Sequence, residues 1–142
     1  MNTPELMEPE KQALNGQINL QLPYGLLGFE TVKDYVLISR PAEAPFRWLK
    51  MLDGGRHAFL VLSPFLVAAD YQPQLSDADV QFLELTSPAD VLIVNIVTLH
   101  PGGAPTINLK GPVVINRHTR IGKQAIPNNA ACYSVHHPLP IS

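Results

Sequence analysis

The sequence predicts an all-β fold, a compact antiparallel β-barrel-like domain with one short inserted helix. Three observations lead there. Apolar residues come in short runs with strand-like alternation, about eight of them. Fourteen prolines and nine glycines are scattered between those runs and act as strand punctuation. No strand–helix–strand alternation is visible, which argues against a parallel sheet with crossover helices.

Residues 1 to about 15 are polar, charged and aperiodic, and are expected to form a frayed extension before a single domain over 16–142. Gln17 to Leu22 alternates cleanly and places Ile18, Leu20 and Leu22 on one face. Tyr24 to Glu30 holds two glycines around a leucine pair, which suits a tight loop burying its own apolar side chains. Tyr35 to Ser39 is a second strand, ended by Pro41. Phe46 to Leu52 is a third, with Phe46 and Trp48 on one face and Arg47, Leu49 and Met51 on the other. Core packing is the simpler reading for Trp48, and an exposed aromatic edge serving as a protein-binding anchor is the sharper one. Asp53-Gly54-Gly55 is a hairpin signal leading into Ala58 to Leu62, which Ser63-Pro64 stops.

The middle of the chain is the least β-like. Pro64-Phe65-Leu66 and Asp70 to Pro73 read as an ordered loop. Ser76 followed by Asp77 and Asp79 is a helix N-terminus signature, and Val80 and Leu83 could then face the core. Val91 to Thr98, rich in β-branched residues and apolar on both faces, is a central strand. Thr106 to Leu109 and Val113 to Asn116 flank a Gly111-Pro112 break and read as the two arms of a hairpin. Each arm carries an asparagine, Asn108 and Asn116, among aliphatic neighbours. A buried amide is costly unless its donors and acceptor are partnered, so the pair points to a specific polar network. Arg120 to Ile126 gives a last strand before a tail rich in proline, asparagine and histidine.

Composition narrows the function classes. Of 142 residues, 46% are hydrophobic and 15% charged, a globular balance. The net charge of −2 leaves no electrostatic footprint for direct nucleic-acid binding. Single Cys132 excludes an internal disulfide, and the N-terminus lacks the apolar core of a signal peptide. No apolar run is long enough to span a bilayer as a helix. A cytoplasmic protein with no membrane association is expected.

Catalytic chemistry finds no support. His57, His100 and His118 stand alone, His136 and His137 point to opposite faces of an extended segment, and Cys132 with His136 makes at most half a zinc site. No nucleophile elbow is present, and Asp77, Asp79 and Glu84 are explained by helix capping and solvation. No enzyme activity, cofactor or metal is therefore expected. Lys110, Arg117, His118, Arg120 and Lys123 form the one basic cluster, readable as a solvated hairpin or as a patch for an acidic partner.

Taken in order, these segments resemble the flagellar assembly factor FliW family over roughly Gly16 to Leu139. The resemblance rests on Gly25 to Phe29, Phe46-x-x-Leu49, Ala58 to Pro64-Phe65, and Asp70-Tyr71. It continues through Thr106-x-Asn108-Leu109-x-x-Pro112-Val113-Val114-Ile115-Asn116, Gly122-Lys123-Gln124, Tyr133 and His137-Pro138-Leu139. Leu27 and Gly111 depart from the usual proline and alanine. The resemblance implies a non-enzymatic, monomeric cytoplasmic regulator with two protein partners, flagellin and the RNA-binding translational repressor CsrA. Pro64, Phe65, Asp70 and Tyr71, on the irregular loop, are candidate contacts, with Asp70 facing a cationic group of the repressor. Asn108 and Asn116 are candidates too, with internal hydrogen bonding as the competing role.

Overall fold

The computed structural model describes residues 16–55 and 57–139. The extension expected over 1–15 lies outside the described residues. The observed strands are β1 (Gln17–Gln21), β2 (Asp34–Ser39), β3 (Arg47–Met51), β4 (Ala58–Leu62), β5 (Val91–Thr98), β6 (Thr106–Ile107), β7 (Val113–Asn116), β8 (Gly122–Gln124) and β9 (His137–Pro138). They form one antiparallel sheet in the order β1-β2-β3-β4-β5-β6-β9, with β7 pairing β5 and β8 pairing β7. One α-helix, α1 (Asp77–Phe82), lies in the connection from β4 to β5. Its start is capped as the sequence predicts, the Ser76 side chain accepting from Asp79 N at 3.1 Å.

The sheet curls around one apolar core. Leu20, Leu22, Leu37, Leu49, Met51, Val61, Val94, Val113 and Ile115 meet on its inner side. The outer side is covered twice. Leu83 and Phe82 at the end of α1 lie over Val114, Val91 and Ile93. Tyr71, Leu139 and Tyr133 lie over Leu62, Val97 and Ile107. Both faces of β5 are therefore covered, as a run that is apolar apart from Asn95 and Thr98 requires. Trp48 differs from the simpler expectation. The core face of β3 is the one with Leu49 and Met51, so Trp48 is half-buried on the outer face, between Ile38 and Leu60 on the neighbouring strands.

The barrel is not closed. After Gln21, Pro23 and the turn at Gly25 lead the chain out of register, and β1 meets the far end of the sheet only at an isolated parallel bridge from Gln21 to Ile121. There Gln21 N donates to Arg120 O at 3.0 Å. The turn requires glycine. Gly25 has φ +69°, and a Cβ there would lie 2.5 Å from Phe29 O.

The hairpin expected around Gly111-Pro112 is not one. Both arms run beside the same strand, Ile107 opposite Val97 and Val113 opposite Val94. Between these pairs β5 advances by three residues and the other chain by six, so three residues bulge out. Asn108 organises that bulge: its Oδ1 accepts from Lys110 N at 2.9 Å and Gly111 N at 3.1 Å. The hairpin in this region joins β7 to β8 instead.

Candidate protein-binding surface

The inner faces of three strands run toward one end of the curled sheet and stop being apolar there. Tyr35, Leu37 and Ser39 alternate along β2, and Arg47, Leu49 and Met51 along β3. Val113 and Ile115 of β7 are followed in phase by Arg117. The core thus opens into a cleft of about 420 Å³ whose polar lining includes Ser39, Arg47 and Arg117 and whose apolar lining includes Phe65, Leu66 and Leu92.

Beside the cleft one side of β5 is bare. β4 pairs only with Asn95, Ile96 and Val97, because Pro64 turns the chain into a 3-10 turn over Pro64–Leu66. On the side of β5 away from β7, Val91 to Val94 therefore have no strand beside them among the described residues.

The electrostatics of this mouth are one-sided. Arg47 is half-buried and makes no salt bridge with a described residue. Burial, and secondarily the nearby Arg117 guanidinium, hold its pKa below the ordinary guanidinium value. Arg117 donates from Nη2 to Val91 O at 3.0 Å, while Arg40 at the rim is paired with Glu43 at 3.3 Å. Ser39 is 5% exposed, and its hydroxyl finds no hydrogen-bond partner among the described residues. A half-buried guanidinium with no carboxylate among the described residues is suited to receive one.

The residues singled out from the sequence divide between surface and interior. Phe65 (45% exposed) and Leu66 (60% exposed) stand at the rim of the cleft. Their turn is anchored by buried Pro64, whose carbonyl accepts from Val67 N and Ala68 N. Asp70 is exposed on the same loop. Tyr71 is buried, packs edge-on to Tyr133 with centroids 4.7 Å apart, and donates its hydroxyl to Leu109 O at 2.7 Å. It therefore anchors the loop that presents Phe65, whose ring lies 6.0 Å away.

Asn116 spends both ends of its side-chain amide internally, and Asn108 spends its Oδ1. Asn116, 3% exposed, donates from Nδ2 to Leu83 O at 2.8 Å and Glu84 O at 3.3 Å, tying α1 to β7. Its Oδ1 accepts from His118 N and Thr119 N and shapes the β7–β8 turn. The Asn108 carbonyl receives Nδ2 of buried Asn95 at 2.8 Å. Gln124, buried next to them, donates to Gly111 O and accepts from Leu27 N at 2.9 Å.

The basic cluster does not form one patch. Arg117 belongs to the cleft, His118 pairs with Asp90 at 3.0 Å, and Lys123 pairs with buried Asp79 and stacks over Tyr24 on the α1 side. Sequence reasoning passed over Arg47 and Ser39. A detectable signal was present, since each polar residue continues the alternation of a core-facing row. Among the described residues no group of three or more His, Cys, Asp or Glu could hold a metal ion, and no helix is long and apolar enough to cross a membrane.

An all-β scaffold that presents an apolar rim beside a cationic cleft is a candidate protein-interaction domain. Comparison with known proteins gives the family. The family model described as FliW protein matches residues 6–139. The flagellar assembly factor FliW of Leptospira biflexa serovar Patoc is 42% identical over 110 residues, which cover 75% of this chain and 71% of that protein. The one from Treponema denticola is 36% identical over 118 residues, 82% of this chain and 80% of the relative. A crystal structure of the flagellar assembly factor FliW superposes with a TM-score of 0.75 at 31% identity, covering 84% of each chain. This chain belongs to the FliW family of flagellar assembly factors.

Proposed function

We propose that this flagellar assembly factor is a non-enzymatic cytoplasmic regulator that binds flagellin and sequesters CsrA, relieving repression of flagellin translation. Export of flagellin frees the protein to take up the repressor, so the two partners are coupled through one scaffold. The observation that carries the reading is the exposed pair Phe65 and Leu66 at the rim of the arginine-lined cleft, held on a turn anchored by Pro64 and Tyr71. Aromatic anchors on a rigid loop are where binding energy concentrates. The net charge of −2 fits action on RNA through a protein partner.

Calorimetric titration tests this with CsrA and flagellin separately, and then with CsrA after flagellin has been added. Binding of both, with flagellin weakening the second titration, is expected. Phe65→Ala should weaken at least one partner by about tenfold with an unchanged melting temperature. Flagellin binding with silence toward CsrA would leave a chaperone without a role in translation. Silence toward both folded partners would refute the proposal.

A further inference from the structure

We propose that His100 and His136 form a two-imidazole site for a late first-row transition-metal ion such as Zn2+, which staples the loop after β5 to the segment entering β9. The two residues are far apart in the sequence, and the fold brings them together. Their ring centroids lie 5.7 Å apart with an interplanar angle of 69°. With Zn–N bonds of about 2.0–2.1 Å, two imidazoles at a tetrahedral angle place their centroids roughly 5 Å apart. A small turn of the exposed His136 ring closes that difference. The angle between the planes is compatible, because each ring can turn about its own metal–nitrogen bond.

Each histidine is carried on a fixed frame. His100 O accepts from Gly103 N at 3.0 Å, closing a turn soon after β5. His136 N donates to Ser134 Oγ at 3.0 Å, and Ser134 O accepts from Leu109 N at 2.9 Å. The two frames are bonded to each other: Leu139 N donates to Pro105 O at 3.2 Å, and β6 pairs with β9 at Thr106–Pro138 and Ile107–His137. Little backbone freedom therefore remains to be lost when the rings share an ion. The His100 ring is also held from behind, its Nε2 lying 2.8 Å from Thr106 Oγ1. With Nε2–H donating to that hydroxyl, the lone pair is left at Nδ1. Metal-binding histidines are commonly fixed in this way, by a partner on the other nitrogen. Neutral imidazole suits Zn2+, Ni2+ and Cu2+, whereas Mg2+ and Ca2+ take oxygen ligands. Two protein nitrogens fill half of a tetrahedral sphere, and water completes it on the solvent side of His136.

The experiment uses the full-length chain without flagellin or CsrA, so its outcome is independent of whether either binds. Cys132→Ser keeps the exposed thiol from competing for the ion. ZnCl2 is added to the chelator-stripped protein while the imidazole signals are followed by NMR. The rings of His100 and His136 should shift together and saturate at one ion per chain, and MgCl2 should leave them unmoved. The melting temperature should rise with ZnCl2, since the ion binds the folded chain. His100→Gln and His136→Gln should each weaken zinc binding by about tenfold or more while leaving the metal-free melt close to that of the parent. Shifts of equal size at His57, His118 and His137, or a variant that binds zinc as tightly as the parent, would show adventitious surface binding and overturn the proposal.

Discussion

Replacing Asn116 by alanine tests whether the polar network under β7 is a structural joint. The residue is 3% exposed and makes four hydrogen bonds. Truncation leaves Leu83 O, a buried acceptor at 2.8 Å, without its partner. An unsatisfied buried carbonyl costs about 1–3 kcal/mol. The bonds to Glu84 O, His118 N and Thr119 N are only part-buried, and water replaces much of their value, leaving roughly 0.5 kcal/mol each. The sum is about 3 kcal/mol, a large fraction of the stability of an ordinary domain. Asn108→Ala loses two part-buried bonds, to Lys110 N and Gly111 N, and should cost about half as much. Urea unfolding followed by the fluorescence of Trp48 and by circular dichroism should show a midpoint lowered by roughly 1–3 M for Asn116→Ala. A loss below about 1 kcal/mol, or a larger loss for Asn108→Ala, would refute this account of the network. Asn108→Ala should also lower stability more than intrinsic partner affinity. A variant with an unaltered melting curve that no longer binds would show instead that Asn108 is a contact.

Gly25→Ala should destabilise by about 3 kcal/mol, because it combines a positive φ with a Cβ 2.5 Å from Phe29 O; a thermal melt near that of the parent would contradict this. Tyr71→Phe keeps the ring packing but strands Leu109 O, for an expected loss of about 1–2 kcal/mol in denaturant titration. Acid should weaken the fold through Asp90. Hydrogen bonds from the Thr86 hydroxyl, Thr86 N and Ser87 N lower its pKa from 3.8 to about 2. The folded value lies below the unfolded one, so the contribution is present above about pH 4 and disappears as pH falls toward 2. Asp90→Asn should flatten the decline in that window, and an identical pH profile for the variant would remove the assignment.

Much of the fold was legible because the strands that carry it have clear periods. β4 and β5 fall where the apolar runs place them, and α1 begins at the serine its capping pattern marks. The illegible parts share a physical cause, which is that long-range pairing decided them. β6 and β9 are two residues each, too short to show any alternation. The supposed hairpin became a bulged continuation because Asn108 holds two backbone amides within its own turn. Pattern alone cannot tell whether two runs pair with each other or share a neighbour. The cleft was legible only in fragments: Arg47 stood in phase with Leu49 and Met51, but its meeting with Ser39 and Arg117 depends on how the sheet curls. Phe65 was found because a proline-aromatic turn outside any strand has no ladder to bury it.

The branched sheet has a consequence for the order in which the chain assembles. β1 to β4 form a meander in which each strand pairs with the next, and β5 with β6 and β7 is a second local unit. Strand pairing joins the two at the β4–β5 ladder, across the connection 63–90, and at the bridge from Gln21 to Ile121, which are far apart in the chain. Closing short loops loses less chain entropy than closing long ones, so each unit can collapse before they meet. The arginine-lined mouth draws Ser39 and Arg47 from the first unit and Arg117 from the second, and it exists only after that late docking is complete. Occupation of the cleft is therefore a test of finished folding, because a chain with one half undocked has no mouth to fill.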